Sequence, residues 1–135
     1  MKIGAQTRIT SGFYFDEPKR IIIGNNSYIN HQVHFHNAVD DQARVIIGDN
    51  VFFGPEVKII CASHEIGNKS KRAGKSTYMP VTIEDGAWIC ANVIILPGVK
   101  IARGCVIGAG AVVTKSTKPN GLYVGIPAKR AKDYK

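Results

Sequence analysis

From Ile23 onward, large apolar residues return at every sixth position: Ile23, Ile29, Phe35, Ile47, Phe53 and Ile59, then Ile83, Ile89, Ile95, Ile101, Ile107 and Val113. The fifth place of each unit is small or β-branched, as in Ala87, Val93, Val99, Cys105 and Ala111. Gly, Asn, Asp or Pro fill much of the space between. A period of six matches neither the 3.6 of a helix nor the 2.0 of an ordinary strand. It matches a short strand followed by a tight turn. The first residue points inward, the fifth lies near the corner, and Gly, Asn or Asp allow the turn geometry. Three units close a triangular coil of about 18 residues, and stacked coils make a parallel β-helix. No coil buries its apolar face alone, so stacking is what stabilises the fold.

The ends and one interruption depart from this rhythm. Ile3, Ile9, Phe15 and Ile21 keep the interval, but the frame slips by two before Ile23. Residues 1–22 therefore read as an irregular first coil. Hexapeptide coils follow over 23–64 and 81–117, with Asp41 a poor occupant of one first position. A tail over 118–135 begins at the turn Pro119-Asn120-Gly121. Within it Leu122 to Ile126 read as a last strand, and Ala128, Arg130 and Ala131 predict a short helix. Between the two runs of coils, Glu65, Lys71 and Thr77 fall where core residues belong, and Lys69, Lys71, Arg72 and Lys75 make the stretch basic. Residues of about 65–80 read as an extruded loop, and long loops in compact repeat proteins carry function. His64 stands immediately before it.

Composition adjusts this picture only slightly. The 135 residues suit one domain, 1–135, and 44% hydrophobic with 21% charged residues is a globular balance. The net charge of +8 points to an anionic partner such as a phosphorylated cofactor or an anionic sugar. The basic positions are not interleaved with aromatics as in single-strand binders, so nucleic acid is not the expected partner. No segment approaches the roughly 20 apolar residues of a membrane span, nor an apolar run of signal-peptide length, and the expected location is cytoplasmic. Cys61, Cys90 and Cys105 are odd in number and far apart, which reads as three reduced small hydrophobes.

Several segments together resemble the hexapeptide-repeat acyltransferases of left-handed parallel β-helix fold, in the branch of the maltose and galactoside O-acetyltransferases. They are Ile47-Gly48-Asp49-Asn50, Ala62-Ser63-His64, Pro80-Val81-Thr82-Ile83 with Trp88-Ile89, Asn92 to Val99, Gly108 to Lys115, and Gly125-Ile126-Pro127-Ala128. The left hand enters only through this resemblance, because right-handed crossovers are otherwise the rule. The resemblance implies acetyl transfer from acetyl-CoA to a sugar hydroxyl by a homotrimer with sites between subunits. An amino group on a nucleotide sugar is the second choice of acceptor. His64 matches the catalytic histidine, and a neutral imidazole is suited to taking the acceptor's proton. By the same resemblance Ala91 offers a backbone N–H to the oxyanion, and Ala109 lies along the pantetheine arm. Thr114, Lys115, Lys129 and Lys132 lie toward the nucleotide end. Tyr28, Asn30 and Asp41 match acceptor contacts. The helical N-terminal extension of the maltose and galactoside enzymes has no counterpart here, and Glu65 replaces the usual proline after the histidine.

Two other readings use the same fold. A zinc hydratase of the γ-carbonic anhydrase kind needs three histidines, and His31, His36 and His64 are the candidates. The lone histidine follows the pair here, whereas in that family it precedes it, so no metal is expected. A non-catalytic β-helix scaffold gives no role to His64 or to Thr114-Lys115.

Overall fold

The structure, a computed structural model, describes residues 1–135, and the hexads wind into a three-sided prism of parallel sheets. Five coils each give one strand to each side. The first holds β1 (Lys2–Ile3), β2 (Arg8–Ile9) and β3 (Tyr14–Phe15). The second holds β4 (Ile21–Ile23), β5 (Tyr28–Ile29) and β6 (His34–His36). The third holds β7 (Val45–Ile47), β8 (Phe52–Phe53) and β9 (Lys58–Ile60). A hairpin of β10 (Ala62–Ile66) and β11 (Ala73–Tyr78) then leaves the trunk. The fourth coil holds β12 (Val81–Ile83), β13 (Trp88–Ile89) and β14 (Ile94–Ile95). The fifth holds β15 (Lys100–Ile101), β16 (Val106–Ile107) and β17 (Val112–Val113), before β18 (Gly121–Val124) and β19 (Lys129–Asp133). Sheet 1 is β1-β4-β7-β12-β15, sheet 2 is β2-β5-β8-β13-β16-β18-β19 and sheet 3 is β3-β6-β9-β14-β17. The fold is a left-handed parallel β-helix.

The hexad chemistry explains the packing. Every first-position residue from Ile23 to Val113 named above is at most 2% exposed, as are Val33, Val45, Val51, Val57 and Val81 at the fifth. Burying each such side chain contributes roughly 1.5–3 kcal/mol before entropy is counted. The fourth position turns the corner with positive φ, at Asn26, Asn50, Gly86 and Gly104 on one edge of the prism. Asn and Gly adopt that region with little strain, which accounts for their recurrence.

Residue spacing between coils reveals two insertions. Ile83 pairs with Ile101, 18 residues on, in an uninterrupted coil. Ile23 pairs with Ile47, 24 on, and Ile47 pairs with Ile83, 36 on. The extra six residues form a loop between β6 and β7, and the extra eighteen form the hairpin. Both are multiples of six, so the phase survives them. Asp41 belongs to that first loop and not to the core column; its side chain is 83% exposed.

Two further expectations need correction. The coil ends at the buried Cys61, and the chain returns where the Met79 N–H donates to Cys61 O at 2.9 Å. His64 therefore stands on the hairpin that leaves the trunk between β9 and β12, and not within a coil that runs on to residue 64. The C-terminal tail is a strand and not a helix: β19 pairs antiparallel with β18. The free edge of β18 presents groups that must be satisfied, and this outweighs a weak helical propensity. Arg130 fastens the tail by donating to Lys118 O (3.0 Å), Pro119 O (3.0 Å) and Asn120 O (3.1 Å).

Candidate active site

The corner between sheets 2 and 3 and the corner between sheets 3 and 1 divide the candidate residues between them. Asn30, Ala91 and Ala109 stack on the 2–3 corner, in coils two, four and five, with Tyr28 facing outward from sheet 2 beside them. Lys129 continues that line toward the C-terminal end, because Val112 receives Ala128 N–H on its carbonyl (2.9 Å) and donates to Gly125 O (3.1 Å). Asp41, His64, Thr114 and Lys115 occupy the 3–1 corner. Lys132 stands on β19 with its Nζ 5.6 Å from the Tyr134 ring centroid. The face of sheet 3 separates the two groups. One chain thus does not bring His64 to Ala91.

His64 is exposed on β10 and pairs across the hairpin with Ser76. Its Nδ1 lies 3.0 Å from Gly74 O. A carbonyl oxygen only accepts, so Nδ1 carries the hydrogen and Nε2 keeps its lone pair. The hairpin thereby fixes the imidazole in the tautomer of a proton acceptor. Asp41 is spoken for: Arg20 Nη2 donates to its Oδ1 at 2.8 Å.

The backbone N–H groups explain what is special about the 2–3 corner. On the 1–2 corner four of the five equivalent N–H groups are consumed by side chains of adjacent coils, that of Arg103 by Glu84 Oε2 of the preceding coil, and the Asp85 N–H is left without an acceptor. Ala5 donates to Asn25 Oδ1 (2.7 Å), Asn25 to Asp49 Oδ1 (2.7 Å) and Asp49 to Asp85 Oδ1 (2.8 Å). On the 2–3 corner the N–H groups of Ala91 and Ala109 have no acceptor in the chain. They form a pair of unspent donors one coil apart, suited to an oxyanion or a carbonyl. Gly54 keeps the first of them open, since a Cβ there would stand 2.6 Å from Ala91 N. Cys90, beside Ala91, is half-buried, and burial pushes its thiol up, so it supplies no thiolate.

Gly54 and Gly74 were not singled out by the sequence pattern. Other hexads also carry glycine in the second place, so Gly54 gave no separate signal, and the role of Gly74 rests on its carbonyl. The outward stripe of sheet 2 was likewise missed: Tyr28 stacks on Phe52 at 4.9 Å, with Trp88, 51% exposed, in register beyond it. Its signal was the aromatic at the position before the buried residue in successive coils. The histidines of the hydratase reading do not converge. His31 meets Ser11 Oγ at 3.0 Å on the 2–3 corner, His36 lies against Tyr14 on sheet 3, and His64 stands on the hairpin.

Comparison with known proteins agrees with this architecture. Residues 80–115 match the bacterial transferase hexapeptide (six repeats) model, and residues 44–71 match the hexapeptide repeat of succinyl-transferase. Galactoside O-acetyltransferase of Escherichia coli (strain K12) is 35% identical over 127 residues, covering 94% of this chain and 61% of that protein. A maltose O-acetyltransferase from Clostridium difficile 630 superposes with a TM-score of 0.87 at 35% identity, over 99% of this chain and 70% of that one. A hexapeptide-repeat acetyltransferase from Vibrio cholerae O1 biovar eltor, complexed with acetyl coenzyme A, superposes with 0.88 at 32% identity, over 99% and 71%. The chain spans between 54% and 61% of the length of four curated relatives, the Escherichia coli protein among them. With 99% of its residues superposed on such relatives at above 30% identity, this chain belongs to the hexapeptide-repeat acetyltransferases.

Proposed function

We propose that the protein is an acetyl-CoA-dependent O-acetyltransferase acting on a hydroxyl of a sugar or saccharide precursor, with His64 as general base. The observation that carries this is the hydrogen bond from His64 Nδ1 to Gly74 O, which leaves Nε2 free to accept. The relatives named for galactoside, maltose and acetyl coenzyme A support the choice of chemistry.

The residues present fit the acetyl donor: two unspent N–H groups, a glycine where a Cβ would obstruct, and Lys129 farther along the same edge. Bound acetyl-CoA would supply a thioester carbonyl. His64 Nε2 takes the acceptor hydroxyl's proton as its oxygen attacks that carbonyl, an assistance of roughly 10²–10⁴ in rate. The Ala91 N–H donates to the oxygen as negative charge develops. His64, now protonated, returns the proton to the departing thiolate. Ala109 lines the path of the donor's arm, and Lys129 and Lys132 suit its phosphates, as do Thr114 and Lys115 from the other corner.

The division between two corners favours a homotrimer. The 3–1 corner of one subunit, with His64, would meet the 2–3 corner of the next, with Ala91, Tyr28 and Asn30. The aromatic stripe of sheet 2 gives that contact an apolar surface. A reaction that draws on acetyl-CoA supports the cytoplasm as its proposed location. The decisive experiment follows thiol release from acetyl-CoA over a panel of simple sugars, amino sugars and nucleotide sugars, alongside light scattering. A hydroxyl acceptor and three subunits per particle are expected. Transfer only to amino sugars, or an active monomer, would overturn the corresponding half of the proposal.

A further inference from the structure

The outer face of sheet 1 carries a groove that shares only Asp41 with the residues matched to transfer above. One lobe, of about 250 Å³, is lined by Lys19, Arg20, Ile22, Asp41, Arg44 and Ile46. The other, of about 380 Å³, is lined by Ile46, Thr82, Glu84, Asp85 and Arg103, with Gly48 and Ile83. Ile46 is common to both, so the lobes are contiguous. Together they reach the size of a small-molecule cleft, roughly 300–1,000 Å³.

The two lobes differ in chemistry. In the first, three cations face one carboxylate, and that carboxylate already accepts from Arg20 Nη2 at 2.8 Å. Arg44 Nε donates to Asp41 O at 2.8 Å, which anchors the guanidinium and leaves its other nitrogens free. Arg20 Nε is buried and has no acceptor at all. An unsatisfied buried N–H is rare in folded proteins, and this one belongs to a guanidinium paired with Asp41 through Nη2 alone, so Arg20 keeps donor capacity toward the lobe. The floor is apolar: Ile22 and Ile46 pair in register on β4 and β7 and are 45% and 37% exposed. The C–H face of a sugar ring covers such a floor well. In the second lobe two carboxylates, Glu84 and Asp85, stand with Arg103; the Glu84 oxygens are taken by Lys100 Nζ and the Arg103 N–H and Asp85 Oδ1 by the Asp49 N–H, so the Thr82 hydroxyl and the other Asp85 oxygen are what this end offers a sugar hydroxyl. The groove is therefore asymmetric in charge, with three cations to one carboxylate at one end and one cation to two carboxylates at the other.

We infer that this groove binds an acidic saccharide, its carboxylate or phosphate seated among Lys19, Arg20 and Arg44 and its neutral ring beyond Ile46. The groove adjoins the root of the hairpin that carries His64. Arg44 O accepts the Val81 N–H at 2.9 Å and the Cys61 thiol at 3.6 Å, and these residues flank the hairpin's root. A role for the ligand as acetyl acceptor rests on the proposed transfer; the binding does not.

Titration calorimetry with glucuronate, glucose 1-phosphate and glucose tests the groove on the full chain without acetyl-CoA. Both acidic sugars bind, and the tighter of the two identifies the preferred oxyanion. Glucose binds at least about tenfold more weakly, the size of one well-placed charge-assisted contact. Lys19→Gln and Arg44→Gln each weaken the acidic sugars about tenfold without altering Tm. Asp41→Asn acts in the opposite direction, strengthening acidic-sugar binding by releasing Arg20. Equal binding of glucose and glucuronate, or affinities unmoved by both Lys19→Gln and Arg44→Gln, would sink the inference. If every sugar fails as acceptor while glucuronate binding persists and responds to Arg44→Gln, the transferase proposal falls and the groove stands. If transfer proceeds while acidic sugars bind no better than glucose, the groove falls alone.

Discussion

The trunk and the hairpin are built on opposite rules. All 26 residues of the apolar core lie in the trunk, and none lies between residues 62 and 80. The hairpin has its β10–β11 ladder, the Met79–Cys61 hydrogen bond at its root and the packing of Tyr78 against the core. Its aliphatic Ile66 is 85% exposed. A stack of near-identical coils can lose none of its inward residues without leaving a void. A hairpin that touches the core only through Tyr78 at its root is free to carry a histidine and cations. Under the proposed mechanism the proton acceptor His64 stands outside the core, and substitutions there and in the core columns should separate activity from stability.

The largest effect expected is on the hairpin side. His64→Ala should lower acetyl transfer by about 10²–10⁴ and leave Tm unchanged, because the side chain is exposed and bonds only to Gly74 O. Thiol-release rates and calorimetric melting measure the two quantities. Turnover at the wild-type level in this variant would remove the general base from the mechanism. The trunk should respond the other way. Ile95→Ala, at a position that is 0% exposed, should cost about 2–5 kcal/mol of stability. Ile66→Ala should change stability by no more than about 0.5 kcal/mol. Denaturant midpoints compare the pair directly, and similar losses at both sites would mean that the hairpin shares the trunk's cooperativity.

The same contrast shows which features the sequence made legible. A column of aliphatic residues at one period can be read because each inward position has a single environment repeated coil after coil. Insertions of six and eighteen residues keep that period, so phase alone could not expose the loop around Asp41. It took composition to expose the hairpin. The tail was misread for a different reason: Ala128 and Ala131 favour a helix locally, but the open edge of β18 and the carbonyls gathered by Arg130 lie far along the chain. His64 was recognisable from its neighbours, whereas its tautomer depends on Gly74, ten residues away across a hairpin. That His64 and Ala91 stand on different corners followed only from the strand pairing.

Cys61 sits at the seam of the two regions and sharpens where one ends. It is 0% exposed, and burial pushes its thiol up to about 12. In the unfolded chain a cysteine titrates near about 8.5. Its neutral form is thus favoured by folding, and the associated stability is complete below that unfolded value and lost as pH rises toward 12. The alkaline limb of the stability curve should be shallower for Cys61→Ser, which keeps a donor to Arg44 O and does not ionise there. A thiol reagent at pH 8 should leave Cys61 unmodified in the folded protein. Rapid modification would show that the hairpin root opens.

The smallest effect belongs to the trunk's outer surface, where the core imposes nothing. The Glu84 carboxyl is held below the usual carboxylate range, first by the hydrogen bond from Lys100 and next by the Arg103 N–H. Lys100 Nζ lies 2.9 Å from its Oε1, and Arg103 N lies 2.9 Å from Oε2. A depressed folded value means that the carboxylate stabilises the fold at pH above the ordinary carboxylate range. The contribution is lost as pH falls through the folded value. Solvent screens a surface pair such as this, so the loss should be small. Glu84→Gln should accordingly flatten the acid limb between neutral pH and about pH 3, and leave stability at neutral pH nearly as it was. Added salt should weaken the wild-type's acid dependence toward that of the variant, because the ion pair is screened while the buried coils are not. An acid limb unchanged by the substitution would show that the trunk's outward charges are as incidental to its stability as the hairpin is.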